Sequence, residues 1–160
     1  MNHARMLASL RREVRERAGE RCEYCLLAEL QALPPHEPDH LISLKHGGQT
    51  ISANLALACF VCNRFKGSDI ASIDAVTSEL VGLFNPRTQR WFEHFRLDGA
   101  YLVPLTVVGR VTEKLLRFNL PYRVEVRARL IELGKYPYSC NRNPDHSHEN
   151  SKVDERYTAQ

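Results

Sequence analysis

Two identical Cys-x-x-Cys pairs are the strongest chemical signal in the sequence. The first pair is Cys22 and Cys25, the second is Cys59 and Cys62, and residues 26–58 separate them. Within each pair the two-residue spacer lets both sulfurs reach one ion, and four thiolates form the tetrahedral cage that Zn²⁺ prefers. Because the protein would fill all four positions, the predicted zinc is structural and leaves no position for a substrate or water. A redox pair of thiols, or a pair of core cysteines, is the alternative interpretation.

A second set of polar residues lies between and beside the cysteine pairs, and it consists of Asp39, His40 and Asn63. A hard cation such as Mg²⁺ takes few ligands from a protein and prefers oxygen, which Asp39 and Asn63 would supply. A histidine imidazole in water has a pKa of about 6.5. Such a group, His40, would accept a proton from water attacking phosphorus. Neighbours on a strand point to opposite faces, so Asp39 and His40 share one site only at a strand end or kink, which Pro38 favours.

Basic residues near this set are candidates for phosphate contacts. Arg64 and Lys66 lie at the end of the predicted metal-bearing helix, and Arg87 and Arg90 follow in the later part of the chain. Such side chains position a nucleic acid by its backbone without reading its sequence. His46 lies in a glycine-containing turn, where a phosphate contact and a simple turn role are equally good interpretations.

The elements that must position these residues are short. Apolar residues at helical spacing predict an N-terminal helix over residues 4–18, with a mainly basic outer face. Residues 36–42 and 54–59 are predicted strands, joined through a glycine turn. Residues 61–66, closed by a glycine, have room for a helix of one or two turns. The first half of the chain therefore predicts two strands and a helix flanked by cysteine pairs.

The pattern changes after residue 68. Three further strands are predicted to pack as a small antiparallel layer, over residues 80–84, 91–96 and 100–105. Two helices are predicted next, one capped by Thr106 and running to Phe118, the other from Arg123 to Leu133. From Tyr138 the chain is polar and predicts a disordered tail, in which Cys140 would be a free thiol.

Composition and charge restrict the class of protein. The chain has 160 residues, of which 43% are hydrophobic and 26% charged, as is typical of one ordinary globular unit. The net charge of +3, from 22 basic and 19 acidic side chains, is too small to indicate a nucleic-acid partner by itself. No leader pattern is visible, and no apolar run approaches the roughly 20 residues of a membrane span. We therefore expect a cytoplasmic protein with no membrane partner.

The sequence resembles the HNH endonucleases, which have the ββα-metal fold, and within them a bacterial subgroup with a four-cysteine zinc knuckle. The resemblance runs from about residue 10 to residue 137. Its most specific segments are Arg21–Cys25, Asp39–Ile42, His46–Gly48, Asn54–Cys59 and Cys62–Gly67. After Gly67 the turn differs from the family pattern, but the difference affects no proposed ligand.

The resemblance implies a role for each residue of the set. It makes His40 the general base and makes Asn54 the residue that braces the loop positioning this histidine. It also implies that Asp39 and Asn63 hold a single Mg²⁺ or Mn²⁺. The last position of the motif is often histidine, and Asn63 is a substitution that the family accepts.

We therefore expect an α+β protein with a ββα-metal nuclease core stabilised by a four-cysteine zinc site. The core would span residues 21–68, after an N-terminal helix in residues 1–20. A C-terminal β/α extension in residues 69–137 would pack on the core, and residues 138–160 would form the tail. The expected function is metal-dependent hydrolysis of DNA phosphodiester bonds. The alternative is a non-catalytic zinc-knuckle module that binds nucleic acid or protein.

Overall fold

The computed structural model describes residues 8–29 and 34–137. These residues form short helices and two-stranded antiparallel sheets, which confirms the predicted α+β class. The predictions for residues 4–7, for Cys140 and for the tail lie outside the described residues. Within the described ranges, no helix is both long enough and apolar enough to cross a membrane.

Eleven helices and strands make up the described part of the chain. In chain order they are α1 (Ala8–Arg17), β1 (Glu37–His40), β2 (Leu55–Ala58), α2 (Phe60–Lys66), β3 (Ala71–Ile73), β4 (Leu80–Gly82), α3 (Trp91–His94), β5 (Phe95–Asp98), β6 (Tyr101–Pro104), α4 (Val107–Leu116) and α5 (Pro121–Glu132). Two single-turn 3-10 helices, Leu44–His46 and Ser52–Asn54, lie in the loop between β1 and β2.

The hairpin of β1 and β2 lies between α1 and α2. Its register pairs Asp39 with Ala56 and His40 with Leu55. Leu55 packs against α1 in a small apolar cluster around Val14, whereas Ala56 belongs to the main core together with the cysteines. Because side chains alternate along a strand, the Asp39 position faces the α2 side and the His40 position faces the α1 side.

The predicted strand over residues 91–96 is wrong. Trp91–His94 is a helical turn, and the strand β5 begins only at Phe95. Trp91 and Phe95 are both buried, whereas Glu93, which a strand would place on the same face as these two residues, is exposed. The burial of this segment follows the helical period and not the alternation of a strand.

The later strands also pair differently from the prediction. β4 pairs with β3, a strand that was not predicted, and β5 pairs with β6, so the described residues contain two separate hairpins there instead of one layer. The β3 strand, Ala71–Ile73, contains only three residues and none is buried. So short and exposed a strand has no alternating apolar pattern that would reveal it.

Both C-terminal helices were predicted, with small shifts of their ends. The side chain of Thr106 caps α4 by accepting a hydrogen bond from the Gly109 N–H at 3.1 Å. The second helix, α5, begins at Pro121, two residues before the predicted start, because proline is well suited to the first helical position. α4 packs against α2, so the C-terminal part of the chain lies directly on the hairpin-and-helix unit.

Candidate metal centres and active site

The four cysteines of the two pairs form one buried cluster. Their sulfur atoms all lie within 4.8 Å of one another, and the Sγ atoms of Cys25 and Cys59 are 3.7 Å apart. Four sulfurs placed about 2.3 Å from a central ion are about 3.8 Å apart in a tetrahedron. The cluster therefore fits a tetrahedral Zn²⁺ with four protein ligands.

Local backbone structure sets each half of the cage. After Cys22 the chain turns back, and the Leu26 N–H donates to the Cys22 carbonyl at 2.9 Å. Cys59 is the N-cap of α2, and its sulfur accepts the N–H of Cys62 at 3.5 Å. A Cys-x-x-Cys pair at a helix start thus brings two sulfurs together while satisfying an otherwise unpaired helix N–H.

The thiols of the cage have perturbed pKa values. Burial raises the pKa of the Cys22 and Cys62 thiols well above the ordinary value, whereas hydrogen bonds from neighbouring thiols lower the pKa of Cys25. A thiol with a raised pKa holds its proton until a metal displaces it. Binding of Zn²⁺ to this cage is therefore coupled to proton release.

The C-terminal part of the chain holds the first cysteine pair from outside. The Trp91 indole N–H donates to the Tyr24 carbonyl at 2.8 Å, and the Tyr136 hydroxyl donates to the Cys25 carbonyl at 2.7 Å. All four residues are buried in the main core. The turn that carries the first two sulfurs is thus fixed by residues more than sixty positions away.

Asp39 has a buried carboxylate with two close partners. Its Oδ2 lies 3.2 Å from the Lys66 ammonium and accepts the Tyr24 hydroxyl at 3.4 Å. Burial raises the pKa of Asp39, while Lys66, Tyr24 and His40 act in the opposite direction. Asp39 is the second-last residue of β1 and His40 the last, so the two positions adjoin at the end of this strand.

Lys66 connects β1 to α2. Besides the carboxylate of Asp39, its ammonium donates to the His40 carbonyl at 2.7 Å, and the side chain is only 2% exposed. The ammonium is therefore directed into the protein and not towards solvent. This placement does not support the phosphate contact that the sequence suggested for Lys66.

Arg87 is placed in a similar way. It forms an ion pair with Glu23, and the Arg87 side chain is 14% exposed. Burial lowers the pKa of Arg87 to about 10, with a smaller effect from the nearby charge of Arg17. The other three residues predicted to contact phosphate, Arg64, His46 and Arg90, are all exposed.

A loop held by Asn54 follows His40. The Asn54 side chain accepts the Ile42 N–H and donates to the carbonyls of Ile42 and Gln49, each at 2.9 Å. His40 ends β1, and its Nε2 lies 2.9 Å from the Thr50 hydroxyl in the same loop. One amide thus closes the loop that carries the histidine's hydrogen-bond partner.

Asn63 lies on α2 one turn before Lys66, so the two side chains share a helix face. It is half-buried, and within the described ranges its amide has no hydrogen-bond partner. Among the same residues, Asp39 uses only Oδ2. A free carboxylate oxygen and a free amide oxygen are the ligands that suit Mg²⁺ or Mn²⁺, so the donor set is compatible with the predicted cation.

Comparison with protein families identifies the segment that contains these sites. Residues 22–69 match the family model described as HNH endonuclease. This segment is an HNH domain. It covers less than a third of the 160 residues and includes the four cysteines of the cage and the set Asp39, His40, Asn54 and Asn63. The domain indicates a nuclease-type function and a nucleic-acid partner. Comparison with curated proteins and with solved structures found no match.

Three relationships around the HNH domain were not predicted: the Lys66 ion pair with Asp39, the contact of His40 with Thr50, and a hydrogen bond from Arg123 to the sulfur of Cys62 at 3.2 Å. The spacing of Asn63 and Lys66 indicated a shared helix face, but not the inward direction of the lysine. No local pattern marks Arg123, which lies 61 positions beyond its sulfur partner.

Proposed function

We propose that this protein is a metal-dependent endonuclease that hydrolyses phosphodiester bonds of DNA through its HNH domain. The observation that carries the proposal is the link between β1 and α2, where Lys66 bonds both Asp39 and the His40 backbone while Asn63 lies one turn away. This link holds the end of β1, which carries Asp39 and His40, against the helix that carries Asn63, and it thereby supports one shared site.

In the proposed reaction His40 is the general base. The Thr50 hydroxyl bonds the ring at Nε2, and within the described residues Nδ1 has no partner. A ring that donates its Nε2 proton to Thr50 has an unprotonated Nδ1, which would accept a proton from the attacking water. In this tautomer Thr50 would accept the Nε2–H and orient the ring.

Asp39 and Asn63 would hold one Mg²⁺ or Mn²⁺ through the two oxygens that have no other partner among the described residues. When bound, the cation supplies neutralisation of charge on the phosphate and on the leaving oxygen. Burial raises the pKa of Asp39, and the Lys66 ammonium opposes this rise and would hold the carboxylate in place. Asn54 would keep the following loop, and with it Thr50, in place.

Arg64 and His46 are the proposed phosphate contacts because both are exposed, Arg64 in the last turn of α2 and His46 at the end of the 3-10 helix in the loop after β1. Lys66 and Arg87 would instead support the domain through their ion pairs. Contacts between basic side chains and phosphate groups are salt-sensitive and largely independent of base sequence. We therefore expect binding that weakens as salt is raised.

A nicking assay tests the proposal. Purified protein is incubated with supercoiled plasmid, linear duplex or single strands in Mg²⁺, in Mn²⁺ or in EDTA, beside His40→Ala and the exposed control Lys114→Ala. We expect nicking that requires the divalent cation, is retained in Lys114→Ala and falls by at least about 100-fold in His40→Ala. Zinc content and circular dichroism check that His40→Ala remains folded. Nicking by His40→Ala at the wild-type rate would overturn the assignment of the base.

One observation favours the alternative of a non-catalytic binding module. The Asp39 carboxylate already has a buried cationic partner, as a purely structural carboxylate would. Under that alternative the folded, zinc-loaded protein would bind DNA or a protein with no cation-dependent cleavage of any substrate form. The same assay, read together with DNA binding by gel shift, distinguishes the two functions.

A further inference from the structure

Arg123 lies on α5, far outside the HNH domain, yet its guanidinium is buried against the cysteine cage. Its Nη2 donates to the Cys62 sulfur at 3.2 Å. Its Nη1 donates to the carbonyls of Leu116 and Arg117 at 2.7 and 3.1 Å, at the C-terminal end of α4. These carbonyls orient the planar guanidinium, so that one edge of the fork is aimed at the sulfur.

The charge of a loaded cage explains why a cation belongs there. Four thiolates around one Zn²⁺ leave two negative charges without compensation, and the cage is buried, where an unpaired charge is costly. An arginine side chain is always protonated under ordinary conditions, so its guanidinium brings a full positive charge to 3.2 Å from the Cys62 sulfur.

A second buried arginine on the same helix shows that burial alone does not produce this contact. Arg127 lies four residues later and donates to the carbonyls of Ala100 and Phe118 and to the side-chain oxygen of Asn119, all of them oxygen acceptors. Arg127 thus ties together backbone segments, whereas Arg123 donates to a sulfur ligand.

We infer that Arg123 is a positioning residue of the zinc centre, which holds the Cys62 thiolate by a charge-assisted hydrogen bond and thereby slows loss of the metal. This inference rests on the zinc site of the proposed function, but not on nuclease activity. It makes the C-terminal part of the chain a component of the metal centre. Residues that hydrogen-bond metal ligands typically change metal affinity by about 10- to 100-fold.

Four variants separate charge, hydrogen bonding and general packing. Arg123→Met removes the charge and the donors, Arg123→Gln keeps an amide donor without charge, and Arg123→Lys keeps the charge without the planar fork. Arg129→Met changes an exposed arginine of the same helix and is the matched control. Zinc stoichiometry of each full-length protein is measured first, and circular dichroism checks the fold.

Two measurements then follow the metal itself. The first is the rate of zinc transfer to an excess of the chromogenic chelator 4-(2-pyridylazo)resorcinol. The second is the thiolate-to-cobalt charge-transfer band of the Co²⁺-substituted protein. A thiolate that loses a hydrogen bond becomes more electron-rich, so the band moves to longer wavelength, an effect that a change in packing alone would not produce.

We expect Arg123→Met to release zinc at least about tenfold faster than wild type and to shift the cobalt band to longer wavelength. For Arg123→Lys and Arg123→Gln, the release rate and the band position should lie between those of Arg123→Met and wild type. Arg129→Met should match wild type in both measurements. If Arg123→Met does not fold, the zinc-release rate and the cobalt band of Arg123→Gln test the inference. Wild-type release and an unshifted band in the folded variants would overturn the inference, as would a wild-type protein without zinc. A zinc-loaded protein that never nicks DNA would overturn only the nuclease proposal.

Discussion

The ammonium of Lys66 lies 3.2 Å from the Oδ2 of Asp39 and 2.7 Å from the carbonyl oxygen of His40. One buried cation therefore joins the last residue of α2 to two adjacent residues at the end of β1. The side chains of Lys66 and Asp39 are 2% and 8% exposed, so the pair is well shielded from water. The ends of the hairpin and helix are thus fixed relative to each other by an interaction with a large desolvation cost.

We expect Lys66→Met to destabilise the protein strongly. Removing one partner of a buried ion pair leaves an uncompensated charge, at a cost of about 3–5 kcal/mol in the free energy of unfolding. The measurement is denaturant unfolding of the zinc-loaded protein, with the exposed Lys45→Met as the control. The double variant Asp39→Asn, Lys66→Met should recover part of the loss, because it removes both charges. A loss below about 1 kcal/mol in Lys66→Met would show that the pair is not a major source of stability.

We expect Asn54→Ala to loosen the loop that follows His40. The substitution removes three hydrogen bonds to Ile42 and Gln49, each with a net value of about 1 kcal/mol. The melting temperature should fall, and under the proposed function the nicking rate should fall with it, because Thr50 no longer holds the His40 ring. Gln49→Ala is the control, since Gln49 contributes only its backbone carbonyl. Unchanged amide exchange across residues 42–54 in Asn54→Ala would contradict the proposed bracing.

The sequence could predict the part of the site whose residues lie close together along the chain. The two Cys-x-x-Cys pairs predicted the buried sulfur cluster, which is confirmed, because each pair is local and only two turns had to meet. Likewise, the order of strand, strand and helix between residues 36 and 66 follows from local patterns. The roles of Asp39, His40, Asn54 and Asn63 stay predictions.

The sequence could not predict the direction in which a side chain points or the contacts between residues that are far apart in the chain. Lys66 looks like a surface lysine at a helix end, and only the packing of α2 on β1 turns it inward. Trp91 and Phe95 are equally compatible with a strand and with a helical turn, and only the exposure of Glu93 between them shows that the period is helical. Arg123 has no local signal at all, since its sulfur partner belongs to another element.

We expect the Cys59→Ser variant to lose both its zinc and its folded structure. Cys59 is both a proposed ligand and the N-cap of α2, so a change there affects the cage and the helix that carries Asn63. Metal analysis should show less than one zinc per chain, and thermal melting should show a lower or absent transition. Cys140→Ser is the control, because this fifth cysteine is predicted to play no part in the cage. Full zinc occupancy of Cys59→Ser with a wild-type melting temperature would exclude the four-cysteine site.

A bidentate ion pair fixes the β3–β4 hairpin to α4. The Nε and Nη2 of Arg110 donate to the two carboxylate oxygens of Asp74 at 3.1 and 3.0 Å. The hydrogen bonds from Arg110 lower the pKa of Asp74 from 3.8 to about 2, outweighing the opposite effect of burial. Because the folded pKa is depressed, the contribution to stability is fully present above the unfolded value and is lost only as pH falls towards 2.

Because the pKa of Asp74 is lowered, we can predict how the melting temperature of Asp74→Asn depends on pH. The variant should melt at a lower temperature than wild type, and the difference should be the same at pH 6, 7 and 8, because Asp74 stays ionised throughout this range. Glu79→Gln, an exposed carboxyl in the same turn, should melt as wild type does. Thermal melting of the zinc-loaded proteins at each pH gives the melting temperatures of both variants. A difference that shrinks between pH 8 and pH 6 would mean that another group titrates with the pair, since a carboxyl with a pKa of about 2 cannot gain its proton there.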